Sequence, residues 1–215
     1  MSTDELLALL RQELADTVEP FLWSDEELLT YLNDAQVMLA RKTDGIPDAS
    51  TPAVTQLAIT PGVEWYPLHA KVLKVRTATR RSDGGRLEVL TPETAERNGV
   101  RFNGTQGPVR VVVQGFEDRK LRVWPTPTVA DTLELAVFRM PLKSLLDADP
   151  EVAEQHHIHL LLWARSRAYL KQDAETFDKG RSEDFEARFR AYCEEVIREQ
   201  SRLRRSSGTV AYGGL

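Results

Sequence analysis

Residues 23–42 read WSDEELLTYLNDAQVMLARK, a single amphipathic helix that carries its own start and stop signals. Ser24 is placed to accept from an unpaired backbone N–H of the first turn, and Glu27, three residues on, can reach back to Ser24 as a capping box. Asp25, Glu26 and Glu27 set negative charge at the positive end of the helix dipole, and Arg41 and Lys42 set positive charge at the other end. Leu28, Tyr31, Leu32, Ala35, Met38 and Leu39 recur at helical spacing as one apolar stripe, with Asn33, Asp34, Gln36 and Arg41 off it. Leu22 or Trp23, before the cap, is positioned to staple against Leu28.

Such a stripe needs partners, and both ends of the chain supply them. Upstream, Ser2 or Thr3 caps a first helix running to about Asp16, whose Leu6, Leu7, Leu9, Leu10 and Leu14 give more apolar surface than one neighbour covers. Downstream, Asp149-Pro150-Glu151 opens a helix to about Lys171. Its Leu160, Leu161, Leu162, Trp163, Ala164, Ala168 and Tyr169 are apolar on several sides, as a central bundle helix requires. Ser182-Glu183-Asp184-Phe185 opens a long helix to about Arg205, with Phe185, Phe189, Tyr192, Cys193, Val196, Gln200 and Leu203 on one stripe.

Between these helix pairs the pattern changes. Gly45, Pro47, Ser50, Thr51 and Pro52 break any helix, and a β region follows from about Val54 to Arg139. Val54–Ile59 and Val63–Tyr66 flank Thr60-Pro61-Gly62 and read as a hairpin. Val72–Arg80 alternates, with Leu73, Val75, Thr77 and Thr79 on one face and Lys74, Arg76, Ala78 and Arg80 on the other, so this strand has a basic side. Arg86–Leu90, Val109–Gln114, Leu121–Trp124 and Thr132–Arg139 complete the strands. Thr91-Pro92-Glu93-Thr94 starts a short helix that ends near Asn98-Gly99.

The expected fold class is therefore α+β: a four-helix bundle formed by N- and C-terminal helix pairs, with an inserted antiparallel β-rich domain and an extended C-terminal arm. The expected boundaries are 1–45 and 141–205 for the two halves of the bundle, 46–140 for the β insert and 206–215 for the arm. No internal repeats are present.

These landmarks resemble a known family. The helix LWSDEELLTYLNDAQVMLAR after a short N-terminal helix, the segment WYPLHAKVLKV at 65–75, the strand LRVWPTPT at 121–128 and the late helix 151–170 are, in that order, similar to the head-to-tail adaptor proteins of tailed bacteriophages. The resemblance implies a structural virion protein with no active site. Copies of it would form a ring, typically of twelve, that docks on the portal protein, meets a tail or nozzle protein, and leaves a central channel in transient contact with double-stranded DNA. In that family the C-terminal segment commonly reaches the portal, which here points to Arg202, Arg204, Arg205, Tyr212 and Leu215. The place implied is the head–tail interface of the virion, after synthesis in the host cytoplasm.

Bulk properties agree with a soluble globular chain. The 215 residues are 41% hydrophobic and 28% charged, enough to bury a substantial core. The apolar run Ile158–Ala164 is far too short to span a bilayer, and the acidic N-terminus lacks the pattern of a signal peptide. A formal net charge of −5 opposes a dedicated nucleic-acid binder, which needs excess Lys and Arg to displace counterions. Any DNA contact is local, and Lys74, Arg76 and Arg80, continuing to Arg81 and Arg86, form a strand face that reads either as an ordinary solvated sheet face or as one that meets a DNA channel, a neighbouring subunit or an acidic partner. The segment SSGTVAYGGL is too small and polar to order itself by burial, so Tyr212 and Leu215 are its expected anchors on a partner.

The alternatives are a virion-associated hydrolase and a small nucleic-acid-binding module. Asp147 with Asp149, and Glu194 with Glu195, are carboxylate pairs of the kind a hydrolase uses, but the helix dipole accounts for most such residues. No nucleophile elbow, phosphate-binding loop, HExxH or dinucleotide fingerprint occurs, and no cofactor is expected. His156 and His159 share a helical face without a third ligand at the spacing metal helices use, since Leu160 and Trp163 stand at i+4, so they read as surface or interface residues. Cys193 reads as a small core hydrophobe.

Overall fold

The computed structural model describes residues 1–173 and 175–205. The chain divides into two compact units, Gly45–Met140 and the remainder, made of Met1–Asp44 with the described part of Pro141–Leu215.

The helical unit begins with α1 (Thr3–Leu14) and α2 (Asp25–Lys42), and both carry the capping boxes that their sequences specify. Ser24 Oγ accepts from Glu27 N–H (3.2 Å) while Glu27 Oε2 accepts from Ser24 N–H (2.9 Å), and Ser2 with Glu5 repeats the arrangement. α1 ends when Ala15 turns left-handed, which swings the Asp16 carboxylate into the interior. There it accepts from Arg11 Nη1 (2.8 Å), Leu22 N–H (2.9 Å) and Trp23 N–H (3.3 Å), tying the loop 15–24 to the end of α1. Trp23 is buried, and its indole N–H donates to Ala168 O (3.1 Å).

In the inserted unit, β1 (Ile46–Asp48) and a single turn of helix, α3 (Pro52–Thr55), precede β2 (Gln56–Ile59), β3 (Trp65–Pro67), β4 (Val72–Arg80) and β5 (Arg86–Leu90). The short helix α4 (Pro92–Arg97) has Thr91 as its cap, and β6 (Val111–Gln114), β7 (Lys120–Trp124) and β8 (Asp131–Arg139) follow. The chain then returns to the helical unit, where a 3-10 turn at Glu154–His156 leads into α5 (His157–Ala168), and α6 (Lys179–Arg205) ends the described part. No helix among the described residues is long and apolar enough to cross a membrane.

The expected architecture, a four-helix bundle with an inserted antiparallel domain, is corrected. The fold is α+β with one curled, mixed sheet of eight strands and six α-helices among the described residues. The sheet order is β1-β8-β4-β5-β6-β7-β3, with β2 also on β8. It is mixed because β5 and β6 run parallel: α4 and the loop after it carry the chain back to the start of the sheet, as a crossover must. The helices do not form a mutual set of four either. α5 takes the middle, with α1, α2 and α6 against it, and α6 packs chiefly on α5 alone. Seven of its residues are buried, among them Leu160, Leu161, Trp163 and Ala164, which is why it lacks a polar face.

Three local readings also change. The expected hairpin across Thr60-Pro61-Gly62 does not form, because β2 pairs with β8 and β3 pairs with β7. The turn itself is real, closed by Val63 N–H to Thr60 O (3.2 Å). Tyr66 plugs it, its hydroxyl accepting from Thr60 N–H (3.0 Å) and lying 2.9 Å from both Thr60 O and Val63 O. The late helix starts at His157 instead of Asp149, because residues 143–151 are held by α2: Leu145 N–H donates to Asn33 Oδ1 (3.1 Å) and Glu151 N–H to Gln36 Oε1 (3.4 Å). Gln36, expected on the wet face, is fully buried for this purpose. The long helix starts at Lys179, so Ser182 is internal to it and meets Ser166 Oγ at 3.1 Å.

Strand β1 was not legible as a strand, and a buried ion pair fixes it. Arg139 Nε on β8 donates to Asp48 Oδ2 at 2.6 Å, and Asp48 Oδ1 accepts from Ser50 N–H and Thr51 N–H, each at 2.9 Å. Burial opposes charge on Asp48, but the hydrogen bonds from Thr51, Arg139 and Ser50 outweigh it and hold the carboxyl well below the usual range. Asp48→Asn and Arg139→Met should each lower the unfolding free energy by roughly 2–4 kcal/mol. The double variant should lose less than the sum, with a coupling of at least about 1 kcal/mol. Urea denaturation of the three variants checks this, and additive losses would refute the coupling.

Candidate functional site

The basic strand face is only partly what the alternation of β4 implies. The pairing of β4 with β8 slips between Val72 and Lys74 and again between Val75 and Thr77, so extra residues are inserted and the two faces exchange along the strand. Val72, Val75 and Ala78 are the buried residues, whereas Leu73 is exposed. The grouping of Ala78 with the basic side and of Leu73 with Val75 is therefore corrected: the bulges reset the period of two.

The five cations separate into two groups. Arg80 is engaged at the hairpin turn, with Nη2 2.7 Å from Asp83 Oδ2 and Nη1 donating to Val109 O (2.9 Å). Arg81 pairs with Glu134 on β8 at 2.8 Å. Both are structural ties within the sheet. Lys74, Arg76 and Arg86 are exposed and make no ion pair or side-chain hydrogen bond among the described residues, so they carry the charge this face offers to a partner.

Of the residues expected at the portal, Arg202 is exposed on the last turn of α6. Arg204 and Arg205 belong to the helix backbone, but their side chains, like all of Tyr212 and Leu215, lie outside the described residues.

A second surface was invisible in the sequence because its members come from four separate segments. Arg122 on β7 lies with its guanidinium 3.8 Å from the centre of the Phe102 ring, 5.0 Å from Trp65 and 5.9 Å from Phe116. Glu64 Oε2 holds the same guanidinium at 2.8 Å. Hydrogen bonds from the Thr126 hydroxyl and from Arg122 outweigh the burial of Glu64 and keep its carboxyl below its ordinary range. Phe116 remains 42% exposed at the rim of this cluster. Aromatic rings with a stacked arginine are the side chains most often found at the energetic centre of protein interfaces. On the helical unit, the loop between α1 and α2 exposes Val18, Phe21 and Leu22 together, with Arg11 4.0 Å over the Phe21 ring.

Of the surface and interface roles expected for His156 and His159, the structure gives them one inside the chain, at the joint between α5 and α6. His156 Nδ1 lies 2.7 Å from the Tyr192 hydroxyl, and the His159 ring stacks on Tyr192 at 3.6 Å between centroids. His157 is buried, with Nε2 2.9 Å from Val152 O. No group of three metal-ligating side chains occurs among the described residues. Burial pushes the Cys193 thiol up to about 11, so it is a core residue and no nucleophile at neutral pH. Glu194 and Glu195 are exposed on α6, and Asp149 Oδ1 accepts from Thr3 N–H (2.9 Å) at the start of α1.

The α5–α6 joint makes stability depend on pH. Burial lowers the pKa of His156 and of His159, with His159 and His157 adding to the effect on His156, while Glu199 opposes it there and Glu195 opposes it at His159. In the folded chain both rings thus hold protons less well than in the unfolded chain, whose histidines titrate near 6.5. Stability from this pair is complete above that value and falls as the pH drops through it. Thermal unfolding followed between pH 7.5 and pH 5 should show a falling midpoint that is flattened in a His156→Gln/His159→Gln variant. An identical slope in the variant would contradict the assignment.

A model of the SU10 adaptor protein family matches residues 1–212. No curated protein matches the chain. The match takes in both compact units and nearly the whole sequence, and the chain belongs to the SU10 adaptor protein family, structural adaptor proteins of bacteriophages.

Proposed function

We propose that this chain is a head-to-tail adaptor whose copies form a ring, dock on the portal and join the DNA-filled head to the tail around a central channel. The observation that carries the reading is the family match across residues 1–212. Three exposed surfaces are compatible with it: the cations Lys74, Arg76 and Arg86, the aromatic cluster around Arg122, and the apolar loop Val18–Leu22. A ring subunit meets its neighbours through two different patches, and separate exposed patches of unlike chemistry supply that need.

In this reading Arg202, Arg204, Arg205, Tyr212 and Leu215 contact the portal, and the ring holds about twelve copies. Lys74, Arg76 and Arg86 contact a subunit, a partner or the DNA in the channel. Arg80 and Arg81 contribute less to such contacts, because Asp83 and Glu134 already neutralise them. Any grip on DNA is weak by design: the net charge of −5 and the small number of unpaired cations on the strand let a duplex slide.

Light scattering after size exclusion, on the chain alone and mixed with the portal ring of the same virus, tests the proposal. A monomer that converts to a ring-sized complex with the portal supports it, and deletion of residues 206–215 should then abolish or strongly weaken docking. A chain that stays monomeric and ignores the portal would refute it.

A further inference from the structure

Strands β4 and β5 leave their turn as partners and then part. Arg80 N–H donates to Gly85 O (2.9 Å), Thr79 faces Arg86 and Ala78 faces Leu87, and there the pairing stops. β4 continues along β8 and β5 continues along β6, so the register that would next set Arg76 against Val89 is not made. A groove of about 430 Å³ separates them, lined by Arg76 and Thr77 on one side and by Arg86, Leu87, Glu88, Val89 and Leu90 on the other. Glu88 N–H donates to Arg110 O (3.0 Å), toward β6. Backbone groups alternate along a strand, so the N–H and C=O of Val89 point into the groove. At the far end the Gln114 side chain closes the gap, its Oε1 accepting from Val75 N–H (2.9 Å) and its Nε2 donating to Leu73 O (3.2 Å).

We propose that this groove binds an acidic segment of a partner protein, which lies over the sheet where β4 and β5 diverge and pairs its backbone with that of Val89. A strand edge offers donors and acceptors together, and a peptide backbone matches both. Buried Leu87 and half-buried Val89, two residues apart on one face of β5, offer an apolar floor to the segment. Arg76 and Arg86 at the mouth make no ion pair or side-chain hydrogen bond among the described residues, with exposed Lys74 two residues from Arg76, and they match carboxylates on the segment. A DNA backbone fits less well: phosphates are acceptors only and leave the Val89 carbonyl without a donor, whereas a peptide backbone brings both N–H and C=O. The inference goes beyond the adaptor reading and holds whether or not the chain forms a ring.

The test pans a displayed library of random peptides of about eight residues, the length of an ordinary strand, on the full chain. Enriched sequences should alternate acidic with β-branched or aromatic residues. A selected peptide, synthesised with a fluorescent label, should lose about tenfold or more in affinity for an Arg76→Glu/Arg86→Glu variant whose circular dichroism is unchanged. On the unmodified chain, the same peptide should slow hydrogen exchange at the Val89 amide, a readout that needs no variant. Failure to enrich an acidic consensus, equal binding to the charge-reversed variant, or unchanged exchange at Val89 would each overturn the proposal. So would a short DNA duplex that binds more tightly with the same dependence on Arg76 and Arg86.

Discussion

A buried strand must satisfy its backbone on both edges, and in this protein that requirement falls on β8. Along its nine residues β8 faces β4 on one edge, while β1 and β2 divide the other edge between them. β1 covers Val137 to Arg139 and β2 covers Asp131 to Glu134, so two short strands from the start of the insert complete the ladder that one long strand opens. The bend of the chain between them is anchored by Asp48, whose carboxylate gathers Ser50, Thr51 and Arg139. Without that anchor the Val137–Arg139 part of this edge would lack a partner.

The same device recurs in the helical unit. Asp16 collects Arg11, Leu22 and Trp23 at the end of α1, and Gln36 with Asn33 holds the segment that approaches α5. Each is a buried or half-buried polar side chain that satisfies the backbone of an irregular segment, and each lets a connection pass close to a core with its N–H groups paired. A structural adaptor benefits from this. Loops such as Val18–Leu22 can display apolar side chains to a partner while their backbones remain set by the interior.

Neutralisation inside the sheet also decides which charges are available. Arg80 and Arg81 are neighbours of Arg76 and Arg86 in sequence and strand, yet Asp83 and Glu134 engage the first two and leave the second two exposed. The difference is positional: the tight turn at residues 81–85 brings a carboxylate within reach of Arg80, and β8 presents Glu134 to Arg81. Where β4 and β5 diverge, Arg76 and Arg86 make no ion pair among the described residues.

Patterns with short range were legible in the amino-acid sequence by itself. The caps at Ser24 and Thr91, the apolar stripes of α1 and α2, the limits of β4 and β5 and the burial of Cys193 all follow from residues within one or two turns of each other. The tertiary structure alone decided which strands pair, and it sent β2 to β8 and β3 to β7 instead of to one another. It also turned His156 and His159 into a helix joint, exchanged the faces of β4, and assembled Trp65, Phe102 and Phe116 around Arg122. The reason is the range of the forces involved: propensity and capping act between neighbours, whereas ladder completion and the pairing of buried charges join residues far apart in sequence, such as Asp48 and Arg139 at a separation of 91 positions.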